Sequence, residues 1–271
     1  MKTLKTIMVL LVSIALYQPL MAQTINQNQL VIPLSEPGKL FKLQVDLLQG
    51  SIYVTEYDGK DVVIDMGSDG EKRRATENTN GMKRIGGGIN SVSATEKGNQ
   101  VSVTSGPTGR FSNLKIKIPK GASAIKLSTV NGGGITADDI SGAIETNNTN
   151  GGIKLNNVSG SVMANTVNGN ITVVFKSIDA KAPMAFSSFN GKVDVTLPAT
   201  LKANVKLHSD RGDLLSDFDV AVDASTPSAT KTKDGTYRFG DAEWTTGKIG
   251  GGGPELMMKT FNGNIYIRKA K

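Results

Sequence analysis

The feature that most constrains this chain is a repeated beat. Between Ile118 and Phe175 an Asn-Gly or Ser-Gly pair is followed each time by a short alternating apolar run, and Gly132, Gly142, Gly151, Gly160 and Gly169 fall 10, 9, 9 and 9 residues apart. The Asn-Gly pairs alone recur at Asn131-Gly132, Asn150-Gly151, Asn168-Gly169, Asn190-Gly191 and Asn262-Gly263, with Arg211-Gly212 where a further pair is due. Their intervals are 19, 18, 22, 21 and 51 residues. A period near 19 residues makes a coil of two short strands and two turns, a unit too small to bury a face without stacked neighbours.

The alternation predicts an inward set: Ile125, Leu127, Ile135, Ile140, Ile144, Ile153, Leu155, Val158, Val162, Ala164, Ile171 and Val173. Each is separated from the next by polar or small residues, so one side of every strand is apolar and the other wet. The apolar runs are short and follow a period of two, not 3.6, which predicts an all-β protein once any leader is removed. At the Asn-Gly turns glycine is expected to supply positive φ, and asparagine to tolerate it while bonding local backbone.

Two architectures fit this text. One is a single elongated β-solenoid, a β-helix-like stack in which Asn-Gly and Ser-Gly form the two unlike corners of each coil. The other is an antiparallel β meander or barrel, because Asn-Gly between alternating apolar residues is also a hairpin signal.

Beyond the repeat, Leu40–Leu47, Ser51–Thr55, Val62–Met66, Val101–Thr104 and Leu114–Ile118 read as strands, and Gly67–Asn90 as an exposed loop holding the basic Lys72-Arg73-Arg74 cluster. The expected organisation is a signal peptide over 1–22 and a single repetitive β domain over 23–271. Within that domain lie a regular core at about 114–214, an excursion at 216–259 and closing strands at 256–268. Arg268, Lys269 and Lys271 would blunt a terminal edge there.

The leader is read from Lys2 and Lys5, the apolar run Ile7–Leu16, and Leu20-Met21-Ala22 before Gln23. It implies export, to the periplasm or the cell surface, and leaves no integral membrane segment in the mature chain. The chain has no cysteine, so an exported form must be held by pairing and burial rather than disulfides. Net charge is +7; the first 22 residues hold two lysines and no acid, so +5 remains, interspersed, which speaks for solubility and against a nucleic-acid partner.

Chemistry-bearing residues are sparse. His208 is the only histidine, at an outward strand position beside a turn, and reads as a solvated surface imidazole rather than part of a metal site or a nucleophilic triad. Asp138, Asp139, Glu145, Lys154 and Asp194 could supply a polysaccharide-cleaving row, but adjacent Asp138 and Asp139 on a strand would point to opposite faces. Gly132-Gly133-Gly134 runs into Ile135-Thr136 and lacks the aspartates of a calcium-binding repeat. Arg211-Gly212-Asp213 matches the integrin-binding tripeptide yet occupies an expected repeat turn. No catalytic residue, metal site or cofactor is therefore expected.

Ile116-Lys117-Ile118-Pro119, Thr166-Val167-Asn168-Gly169-Asn170-Ile171, Val193–Pro198 and Lys259-Thr260-Phe261-Asn262-Gly263-Asn264-Ile265 together resemble the bacterial putative-adhesin domain family, over roughly Leu40 to Lys271. The resemblance lies in the rhythm of turns. It implies an exported repetitive β protein of β-helix-like form with no catalytic residues to carry over. The expected function is non-enzymatic, adhesin-like contact with a glycan or an envelope or surface protein. A structural spacer or envelope regulator is the alternative, and a polysaccharide-active enzyme a more distant one. Oligomeric state is left open.

Overall fold

A computed structural model describes residues 29–66, 92–105, 113–223, 228–231, 237–240 and 244–271. The predicted signal peptide, the loop at 67–90 and its basic cluster lie outside the described residues. Among the described residues every regular element is a strand, as the period of two predicts. The N-terminal part holds β1 (Gln29–Pro33), β2 (Phe41–Gln49), β3 (Ile52–Tyr57), β4 (Asp61–Met66), β5 (Val92–Lys97), β6 (Gln100–Ser105) and β7 (Leu114–Pro119). The repeat holds β8 (Ala122–Asn131), β9 (Ile135–Asp138), β10 (Ser141–Asn150), β11 (Ile153–Asn168), β12 (Ile171–Ile178), β13 (Met184–Asn190), β14 (Val193–Leu197) and β15 (Ala203–Ser209). The C-terminal part adds β16 (Leu214–Ser216), β17 (Val220–Val222), β18 (Ser228–Lys231), β19 (Tyr237–Gly240), β20 (Thr245–Ile249), β21 (Glu255–Asn262) and β22 (Ile265–Lys269).

These strands form two parallel ladders joined at the corners. The first runs β6–β2–β8–β10–β11–β13–β21–β15 and the second β7–β3–β9–β11–β12–β14–β22–β16. Long β11 serves both, its first half beside β9 and β12 and its second beside β10 and β13. Register follows the repeat, with Glu145 opposite Met163 and Lys126 opposite Glu145. The Asn-Gly pairs carry the chain between ladders and do not close hairpins. Among the described residues antiparallel pairing is confined to β18–β19 and to the ends, at β1–β4–β7, β5–β6 and β15–β20–β17.

Spatial order departs from chain order at both ends. The coil β2–β3 lies inside β6–β7, and the coil β21–β22 inserts between β13–β14 and β15–β16. The Arg211 turn therefore stacks beyond the Asn262 turn, and the Leu256–Ile267 strands are not the last of the stack. Arg268 sits on β22, inside the second ladder between β14 and β16, and so does not blunt a terminal edge; the C-terminal edge of the first ladder is covered by the antiparallel β20 and β17.

The predicted inward set is buried throughout, from Ile125 to Val173, and belongs to one contiguous core filled from both ladders. Removing each of its Ile, Leu and Val side chains from water contributes about 1.5–3 kcal/mol. A polar series lies beside it, buried except at half-buried Ser209. Two residues before each turn, Thr129, Asn148, Thr166, Ser188, Thr260 and Ser209 donate to the carbonyls of Gly50, Gly133, Gly151, Gly169, Gly191 and Gly263 in the preceding coil, at 2.8–2.9 Å.

The corners correct the expected role of glycine in part. At Gly151 the backbone is not left-handed; a Cβ there would lie 2.1 Å from the Gly133 carbonyl oxygen of the coil below. Gly169 and Gly212 stack in the same way on Gly151 and Gly263, so at these three close approach, not φ, excludes a side chain. Gly191 and Gly263 stack likewise on Gly169 and Gly191 but also take positive φ, 159° and 157°. Gly132 takes φ 77° as the extra residue of the 19-residue interval, and Gly133 fills the stacking place on Gly50. At the Ser-Gly corner Gly142 and Gly160 have positive φ and also stack, on Ala122 and Gly142. The longer 22-residue interval places its extra residues at that corner, where Asp179 donates its N–H to the Gly160 carbonyl.

The turn asparagines are likewise not in the left-handed region. Their side-chain amides bond to one another: Asn150 donates to Asn131 at 2.8 Å, Asn168 to Asn150 at 2.9 Å, Asn190 to Asn168 at 2.8 Å and Asn262 to Asn190 at 2.7 Å.

Candidate functional site

With the backbone of each strand used by its neighbours, anything this surface binds must be met by outward side chains. On the first ladder these fall in rows that cross the strands. One row is Ser128, Asn147, Asn165, Ser187, Lys259 and His208, in register along β8, β10, β11, β13, β21 and β15. Beside it, in the residues just before the turn asparagines, run Val130, Thr149, Val167, Phe189 and Phe261. Between and around these rows lies an open groove of about 600 Å³.

The apolar row is exposed where a folded chain would ordinarily hide it. Val130 is 37%, Val167 44% and Phe189 50% accessible. Phe189 and Phe261 stack at 4.9 Å with their planes 2° apart, and Arg211 caps the pair with its guanidinium 5.2 Å from the Phe261 ring. In the polar row Asn165 donates to Asn147 at 3.2 Å, and Asn147 to Glu145 at 2.9 Å. The hydrogen bond from Asn147, and then that from Lys126, hold the Glu145 carboxyl below its ordinary range.

His208 is not the solvated imidazole expected from its outward position. Its ring is 2.9 Å from Asp210 Oδ2, its side chain is 13% accessible, and Trp244 lies over it at 5.2 Å. The excursion brings that cover: Trp244 precedes β20, which pairs with β15. Lys206 and Lys259 also reach the Trp244 ring, at 4.7 and 5.7 Å.

The candidate carboxylates do not converge. Glu145 faces outward from the first ladder, whereas Asp138, Lys154 and Asp194 belong to the second. Asp138 is half-buried, bonded by Asn156, and its hydrogen bond to Tyr53 raises the phenol's pKa. Asp139 follows it in the left-handed region, exposed and bonded by Asn157. Lys154 registers with Thr136 and Thr172, and Thr172 with Asp194, which sets Lys154 and Asp194 two strands apart.

Asp194 is 7% accessible and accepts from Arg268 at 2.7 and 3.2 Å and from Lys192 at 3.2 Å. Burial alone would raise its pKa; the bonds from Arg268 and Lys192 outweigh burial and hold the carboxyl below its ordinary range. The Arg211-Gly212-Asp213 turn is stacked on the turn below, Gly212 against the Gly263 carbonyl and the Asp213 N–H donating to Asn264 at 3.0 Å.

The groove and the buried polar series are what sequence reading missed. Their signal was the Ser, Thr or Asn two places before each turn, and the Val or Phe one place before. Both were legible only once register had shown them to be rows.

A family model for the Toastrack DUF4097 domain matches residues 20–240. The chain belongs to the Toastrack DUF4097 family. No curated protein matches it. Among solved structures, a putative cell adhesion protein from Clostridium sporogenes ATCC 15579 aligns at 8% identity and a TM-score of 0.37, over 89% of this Toastrack chain and 99% of the other. A putative adhesin from Bacteroides fragilis NCTC 9343 aligns at 15% identity and a TM-score of 0.31, over 88% and 95%. Among the described residues of the Toastrack chain no helix is long and apolar enough to cross a membrane.

Proposed function

We propose that this Toastrack protein is an exported, non-enzymatic β-solenoid whose outward rows make adhesin-like contacts with a surface ligand. The observation that carries this reading is the groove across the first ladder, where an exposed apolar ridge and a row of hydroxyl, amide and cationic groups run side by side over six strands. Parallel in-register pairing, at offsets that follow the repeat, supports the solenoid reading. Such rows present the same contact many times on a stiff scaffold, so weak single contacts add by multivalency. Carboxylates divided between two ladders, with Asp194 already held by two cations, support a binding role over hydrolysis.

The test is attachment. Fluorescently labelled protein is applied to intact cells and to arrays of cell-wall, polysaccharide and matrix components, with protease shaving of the producing cells to establish access. Retention on at least one surface and cleavage by external protease support the reading; attachment to none overturns it.

A further inference from the structure

We infer that the groove on the first ladder takes an extended acidic polysaccharide, an assignment that rests on the surface-binding reading above. Direction is the first argument. The groove crosses the strands, and the backbone beneath it is paired from strand to strand, so a peptide seeking to add a strand finds no open edge there. An occupant must bring polar groups of its own along its length. Ser128, Asn147, Asn165 and Ser187 offer a hydroxyl or amide at each step of about 4.8 Å, a spacing close to the advance of one pyranose in an extended polysaccharide chain.

The wall is the second argument. Phe189 and Phe261 face each other rather than the groove, so they present ring edges and, with Val167 and, beyond Thr149, Val130, form a largely apolar ridge. That ridge suits the C–H surface of a sugar chain and keeps water from one side of the polar row.

Charge is the third. Lys259 lies in the groove at its Trp244 end, with Lys206 and Arg211 alongside. Among the described residues lining the groove the one acid is Asp210, which is held by His208 at 2.9 Å. Carboxylates on the sugar chain complement this end.

Binding of the full protein to polygalacturonate and to its fully methyl-esterified, neutral counterpart tests the inference. The acid polymer is expected to bind at least about tenfold more tightly than the ester, with affinity falling as salt rises. Lys259→Ala is expected to weaken the acid polymer about tenfold and leave the ester unchanged. Asn165→Trp, which fills the groove, should weaken both, while Lys154→Ala on the second ladder changes neither; circular dichroism and Tm verify that each variant is folded. Absence of polygalacturonate binding, equal affinity for acid and ester, or insensitivity to both groove substitutions overturns the inference. If the wild type still attaches to cells under those outcomes, the surface-binding reading stands without this ligand. If it binds the acid polymer but attaches to no cell, that reading falls and the ligand class stands.

Discussion

The side-chain amide of Asn168 donates to Asn150 Oδ1 at 2.9 Å, one rung of a ladder that ties each coil to the next. Asn168 also accepts from Asn190. Replacing it by alanine breaks two rungs at an exposed corner, and the expected cost is about 1–2 kcal/mol, read as a lower denaturant midpoint with an unchanged slope.

The Gly151 corner should be far less forgiving. A methyl group there meets the Gly133 carbonyl at 2.1 Å, and that oxygen belongs to a backbone fixed on both sides. Gly151→Ala is expected to cost about 3 kcal/mol. Gly38→Ala, where φ is 83° but nothing lies within 4 Å, should cost only about 1 kcal/mol. Thermal unfolding of the two variants compares close approach with conformational freedom directly.

Thr146 is a frustrated core position. It is fully buried in register between Leu127 and Ala164, and its hydroxyl has no hydrogen-bond partner. Thr146→Val keeps the shape and removes the stranded hydroxyl, so a gain of about 1 kcal/mol is expected. A loss on chemical denaturation would contradict this account of the core.

Asp194 makes stability depend on acid. Its folded pKa is depressed below the unfolded value of about 3.9. Its contribution is therefore present above that value and is lost as pH falls through the folded pKa. Asp194→Asn should cost about 2 kcal/mol at pH 7, a buried ion pair discounted because Arg268 and Lys192 are half-exposed and can rehydrate. The variant should also lose less stability than the wild type between pH 5 and pH 2, measured by urea melts across that range.

Much of the fold was legible because a period of two and a beat of nine leave few arrangements for a short strand. Ile125, Leu127, Ile153 and Leu155 could be placed inward from alternation alone. Stack order could not be read, because the Asn262 turn follows the Arg211 turn in the chain yet lies beneath it, and only pairing across more than fifty residues reveals that. Gly133 was hidden behind Gly132 for a related reason: adjacent glycines are equivalent as text, and only the position of the Gly50 carbonyl distinguishes them. The candidate binding face was the least legible part. A row such as Ser128, Asn147, Asn165 and Ser187 spans four coils and is contiguous only across the ladder. His208 likewise reads as solvated until Trp244, thirty-six residues later, covers it.

The central claim, that function resides in the outward rows of the first ladder, is tested most directly by attachment of folded variants to one surface that holds the wild type. Ser187→Trp blocks the groove at its centre, and Tyr53→Ala alters the second ladder. The account predicts that Ser187→Trp loses attachment while Tyr53→Ala retains it; equal attachment of both would contradict it.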